Sequence, residues 1–306
     1  MKLGTATWPF QWHPPYEDAI RRVAGLGFKS VELIAWTRDV LDEHYTPACI
    51  KALREILDGE GLELSELVST PRGLSSPDEA ERTEAVEHFA RLVEVGHALG
   101  TSLVNTVAPA PFGLRIMPLK SLPAAQELPC ALDESQRRAG AWDDNWKAYV
   151  EATRQCCELC EEAGMRYALE AHPHRWVDAS AAMLRLIDHV GSPALGMNVD
   201  PSHMFPSGDI PHLSVYKLGD RVLHTHISDN DATHNAHWRP GKGKIDWGAF
   251  LQALKDIGYE GVLSLELEDV PGVSHGAETP TATEEFDREC LAAMRYLQEL
   301  CDDLIL

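Results

Sequence analysis

Long apolar runs are missing from this chain: none reaches the roughly 18 residues that a membrane-spanning helix requires. Nor does the N-terminus join a basic stretch to an apolar one, the pattern of a secretory leader, so a cytoplasmic protein is expected. Positive charge is scarce as well. Against 48 acidic residues stand 27 basic ones, a formal charge of −21, which repels nucleic acid and anionic membrane surfaces. No strand-to-helix turn carries G-x-G-x-x-G or GxxxxGK[ST], so dinucleotide and P-loop readings lose their main support. Zinc-finger spacing is absent too: Cys157 and Cys160 spell C-x-x-C without a second pair, and the odd count of 7 cysteines fits small buried helix residues in a reducing compartment.

What is present is an ordinary soluble composition, 44% hydrophobic and 25% charged, with a recurring phrase. A helical pattern closes on a glycine or proline, and a short apolar strand follows and ends in a polar residue. The instances are KLGTATW (2–8), GFKSVELIAW (27–36), GLELSELVS (61–69), GTSLVNTVA (100–108), GMRYALEAH (164–172), PALGMNVDPSH (193–203), RVLHTHISD (221–229) and YEGVLSLELE (259–268). Eight apolar strands alternating with helices predict a closed (β/α)8 TIM barrel, an α/β single domain over residues 1–306, with an open doubly wound sheet as the alternative.

Helix ends are readable. Ser76 and Glu79 spell a capping box with Pro77 at the first helical position, Thr46-Pro47 opens a second helix, and another runs from Trp146 to Ala163. After strand four the rhythm fails: residues 109–145 are proline-rich and aperiodic, which predicts a long insertion acting as a lid over the barrel mouth. A second irregular stretch, 269–282, precedes a last helix at about 283–302.

Reactive groups of such a barrel come from the C-terminal ends of its strands. There the chain offers Glu32, then Asn105 and Thr106, Glu170 and His172, Asp200 and His203, His224, His226 and Asp229, and finally Glu266 and Glu268. Strand alternation puts His224 with His226 and Glu266 with Glu268, and does not choose within either pair. Carboxylates and imidazole without thiolate suit manganese, magnesium or cobalt in an open coordination shell rather than a closed structural zinc. Trp8, Phe10, Trp12 and Trp36 follow the first two strands, as a sugar-binding wall or as a plug of the barrel top. Glu32 is a candidate for binding a hydroxyl or for an internal salt bridge.

Taken in order, ALEAHPH, NVDPSH, HTHISDND, WRPGKGKIDW and GVLSLELED resemble the xylose-isomerase-like TIM-barrel superfamily, which includes sugar isomerases, ketose 3-epimerases, inosose dehydratase and, more distantly, endonuclease IV. The resemblance implies one divalent metal ion, manganese before magnesium, cobalt or zinc, held by Glu170, Asp200, His226 and Glu266. It implies substrate contacts from His203 and Arg239, with His172, Trp8 and Glu32 beside them, and a helix starting at Trp247. Glu170 and Glu266 become the acid/base pair of an isomerase or epimerase that acts on an unphosphorylated sugar or keto-sugar through an enediolate. Homo-oligomers are common in this superfamily.

The same enolate chemistry serves a lyase, a keto-inositol dehydratase or a 3-keto-glycoside or C-glycoside cleaving enzyme. The extra imidazoles of His172 and His174, and Glu134, Asp143 or Asp144 from the insertion, are then alternative bases. An endonuclease IV activity would need more histidines at strands two to four, where only Glu32, Glu66 and Asn105 stand, and a basic track for DNA.

Overall fold

The computed structural model describes residues 1–114, 132–271, 273 and 283–304. Its strands are β1 (Lys2–Ala6), β2 (Ser30–Ala35), β3 (Glu63–Ser69), β4 (Leu103–Val107), β5 (Arg166–Glu170), β6 (Leu195–Val199), β7 (Val222–Ile227) and β8 (Val262–Leu265). Every neighbour pairs in parallel, and β8 returns to β1, so the sheet closes as the TIM barrel that the alternating pattern predicts. The helices are α1 (Glu17–Leu26), α2 (Arg38–Glu43), α3 (Pro47–Glu60), α4 (Glu79–Leu99), α5 (Glu134–Arg137), α6 (Ala141–Glu162), α7 (Ser180–Val190), α8 (Pro201–Met204), α9 (Pro211–Leu218), α10 (Trp247–Asp256) and α11 (Glu284–Leu304).

Local chemistry sets the boundaries. Thr46 caps α3 by accepting from the Cys49 N–H with Pro47 in the first turn, as the sequence indicates. The capping box at Ser76 does not form. Asp78 caps α4 instead, accepting from Ala80 N at 2.8 Å, while the Ser76 hydroxyl accepts from Asp78 N and donates to Glu81. A carboxylate two residues closer to the helix outcompetes the hydroxyl for the free N–H groups. Helix α6 begins at Ala141, so residues 141–145 belong to it and not to the expected insertion. Of that insertion, residues 115–131 lie outside the described residues, and so does most of the 269–282 stretch.

The barrel interior is polar. Glu32, Glu66, Asn105, Asn198, His224, His226 and Ser264 are all buried, on strands otherwise rich in Val and Leu. Buried charge is costly unless paired, so this interior is held by ion pairs and hydrogen bonds that link β2 to β7 and β8, and β4 to β3.

Away from the mouth, His88 on α4 packs its ring against Ser69 at the end of β3, Nε2 2.8 Å from the hydroxyl. That hydroxyl donates to Ala35 O, so the imidazole must donate to it through Nε2–H. Burial, reinforced by the Arg38 charge, pushes the His88 pKa down to about 4. The unfolded chain therefore takes up a proton at this residue as pH falls below about 6.5, and the folded chain does so only near 4. Relative to His88→Gln, the wild type should lose about 2 kcal/mol of stability between pH 7 and pH 4. Urea denaturation at both values measures the difference, and parallel losses in the two proteins would refute it.

Candidate metal centre

At the C-terminal rim, β5, β6, β7 and β8 converge on a small volume. Glu170 is the last residue of β5, Asp200 follows β6 directly, His226 lies near the end of β7, and Glu266 follows β8. One ligand atom from each lies within 4.8 Å of the others, and all four residues are buried. His226 Nδ1 is the hub, 2.6 Å from Glu170 Oε1 and 3.3 Å from Glu266 Oε2. Asp200 turns Oδ1 back to cap α8 through Ser202 N at 2.7 Å and leaves Oδ2 facing the cluster.

Three more imidazoles stand around these four. His172 Nε2 lies 3.2 Å from Glu170 Oε2, and its ring overlies His203 with centroids 3.6 Å apart. His203 Nε2 is 3.5 Å from Asp200 Oδ2, with its Nδ1 held by Asn235 Oδ1 at 2.7 Å. His237 Nε2 is 3.3 Å from Asp200 Oδ2 and 3.7 Å from Glu266 Oε2.

Electrostatics divides the carboxylates. Burial disfavours the ionised form of all of them, yet the His226 charge and the hydrogen bonds from His172 and His226 overcome it at Glu170, which is held well below the usual carboxylate range. At Glu266 burial prevails and pushes the pKa up to about 8. Burial and the neighbouring His172 charge push His203 down to about 3. His226 goes the other way: burial opposes its charge, but Glu32, Glu266 and Glu170 together raise it well above the ordinary imidazole value.

A cation fits this arrangement better than the protein's own hydrogen bonds do. Glu266 Oε2 is buried with no hydrogen-bond partner, although it points into the ring of donors. An orphaned buried carboxylate oxygen needs an explanation, and three carboxylates with one imidazole form the donor set of a hard divalent ion.

Comparison with known proteins identifies the family and the fold. The family described as xylose isomerase-like TIM barrel matches residues 20–293. The chain belongs to that family. Fructoselysine 3-epimerase of Escherichia coli O157:H7 is 32% identical over 40% of this chain and 46% of its own, so the match spans about half of that relative. D-psicose 3-epimerase of Enterocloster bolteae is 25% identical over 98% of this chain and 96% of its own. The crystal structure of D-psicose 3-epimerase with D-tagatose from Clostridium cellulolyticum H10 superposes with a TM-score of 0.76 at 21% identity, covering 98% of this chain and 99% of that one.

Within this xylose isomerase-like barrel, the other residues singled out from the sequence have distinct places. Trp8 is buried and donates its indole N–H to Glu266 Oε1 at 3.0 Å, so it holds a carboxylate rather than forming an open wall. Trp12 stacks on Trp36 with centroids 4.3 Å apart, and Phe10 packs edge-on against Phe286 of α11 as part of the plug. Glu32, a candidate for a substrate hydroxyl, is instead fully buried beneath His226, its carboxylate engaged by two imidazoles and Ser264. Arg239 lies 3.4 Å from Glu289 of α11, which also pairs with Lys242 at 2.5 Å, so the expected substrate arginine is turned to a carboxylate outside the four-ligand group. Glu134 and Asp143 are exposed, and Asp144 pairs with Arg138 at the surface.

Sequence reasoning missed His237 and Asn235. Both come from the irregular HNAH segment after β7, where no periodicity marks a side chain as inward-facing, and a histidine-rich loop past a strand end was the only available signal.

No helix among the described residues is long and apolar enough to cross a membrane.

Proposed function

We propose that this chain is a divalent-metal-dependent epimerase or isomerase of an unphosphorylated sugar or keto-sugar, working by proton transfer at the carbon beside a carbonyl. One observation carries it: Glu170, Asp200, His226 and Glu266 converge from four consecutive strand ends, with a buried oxygen of Glu266 that no hydrogen bond satisfies. Those four residues would hold the ion, and manganese suits the donor set best. When bound, a divalent cation supplies Lewis-acid polarisation of a carbonyl and offsets the charge of an enediolate.

The chain's own groups do the rest. Glu170 is kept ionised by its imidazole neighbours and takes the proton, while Glu266, whose burial favours the protonated form, returns one. His172 fixes the rotamer of Glu170, and Trp8 fixes that of Glu266. A phosphorylated substrate is disfavoured, because Arg239 and Lys242 already share Glu289.

Incubation with a panel of ketoses and ketosides in heavy water with manganese should place deuterium beside the carbonyl. Chelation should abolish the exchange, and added manganese should restore it. Absence of exchange with every sugar tried would remove the reading.

A second reading, a lyase on the same kind of keto-sugar, is favoured by His172 and His203, whose rings overlie one another beside Glu170, because imidazoles placed there can pass a proton to a departing oxygen. Release of water or aglycone without formation of an epimer would select it.

A further inference from the structure

Beneath the proposed ligands lies a second layer of fully buried polar side chains that the chemistry above leaves unused. Glu32 on β2 joins the two histidines of β7: Oε1 lies 2.9 Å from His224 Nε2, and Oε2 lies 3.0 Å from His226 Nε2. Ser264 of β8 donates to the same Oε1. Glu66 of β3 stands farther off, its Oε1 accepting from Asn105 at 2.8 Å and lying 3.7 Å from His226 Nε2.

Building on the metal centre proposed above, we infer that Glu32 is a positioning residue: it takes the Nε2 proton of His226 and so leaves the Nδ1 lone pair facing the cation. An imidazole with one proton must choose a nitrogen, and the partner of one nitrogen decides what the other can do. Glu32 is met by His224 and Ser264 at one oxygen and turns the other to His226 as an acceptor, so a bare Nε2 at 3.0 Å from it would set two lone pairs against each other. Nδ1 at the same time points at Glu170 and Glu266, the two sides of the site. Asn198 lies 3.1 Å from Nε2, and exchanging the ends of its carboxamide presents oxygen to that proton and serves the otherwise unpartnered Oδ1.

Glutamine tests the assignment. Oε1 of Glu32 serves two donors and Oε2 serves one, so Glu32→Gln keeps its oxygen at the first position and turns an NH2 toward His226 Nε2. That favours the wrong tautomer. Calorimetric titration with manganese should show affinity lower by roughly 10- to 100-fold in Glu32→Gln. Glu66→Gln, at the same depth but without a hydrogen bond to His226, should stay within about threefold of wild type. Equal losses in both variants, or wild-type affinity in Glu32→Gln, would overturn the inference. So would two ions per wild-type chain falling to one in Glu32→Gln. Failure of the wild type to bind manganese would instead overturn the metal centre itself. If Glu32→Gln does not fold, nitrogen-15 spectra of the zinc-loaded wild type decide: a protonated Nε2 on His226 supports the assignment, and a bare one refutes it.

Discussion

Glu170→Gln and Glu266→Gln are each expected to lower turnover by roughly 10²- to 10⁴-fold, because in the mechanism proposed above each moves the substrate proton and is a donor to the cation. Loss of activity alone does not show that the two carboxylates differ, but stability of the metal-free protein does. Glu170 lies well below its ordinary pKa, so its ionised form favours folding above pH 4.5 and loses that contribution as pH falls. Glutamine there leaves His226 and His172 without their buried anion. The melting temperature of the metal-free variant should fall by roughly 5–10 °C. Glu266 has the opposite sign. Its pKa, pushed up to about 8 by burial, means that the unfolded chain sheds the proton near pH 4.5 while the folded chain keeps it. The residue opposes folding increasingly as pH rises across that interval, and Glu266→Gln should melt at or above the wild type at pH 8. Equal destabilisation by the two substitutions would contradict the division of roles, and unchanged turnover in either would remove that residue from the chemistry.

The barrel was legible because each unit closes in the same physical way. Gly27, Gly61, Gly100 and Gly191 end their helices in the left-handed conformation, which other residues adopt only with strain, and an apolar strand follows each within a few residues. The four proposed ligands were legible as a set, since four strand ends in a row carrying carboxylate or imidazole have no ordinary structural reason. Choice within a pair was not. His224 and His226 both face the barrel axis, and what separates them is depth: two residues of strand, roughly 7 Å, put one beneath the site and the other in it. The two readings of Glu32, hydroxyl contact or internal salt bridge, stayed open for the same reason, because alternation tells inward from outward but not how far below the rim a side chain sits; the structure shows the salt bridge. His237 and Asn235 were illegible because they belong to no periodic element and depend on how one loop is pinned.

Asp229 does that pinning, and Asp229→Ala should cost about 3–5 kcal/mol, the range for breaking a buried charged network. The side chain is fully buried, and it accepts from Gly241 N at 2.8 Å, Gly243 N at 3.0 Å, Ile245 N at 3.2 Å and the Trp247 indole at 3.1 Å. Its own backbone pairs with Trp238 on the other side of the loop. One carboxylate thus closes the segment that carries His237 to the metal centre and starts α10 at Trp247. Removing it strands four donors, none of which has a substitute acceptor of matching shape. Gly243 is part of the same device. A Cβ there would lie 2.2 Å from both Asn230 O and Asp229 Oδ1, so Gly243→Ala must push the loop off its anchor although its backbone needs no left-handed angle. Both variants should lose stability in urea, expose the bonds after Lys242 and Lys244 to trypsin, and lose turnover as His237 leaves Asp200. A variant that loses less than about 1 kcal/mol and resists trypsin would show that the loop is held by its other contacts.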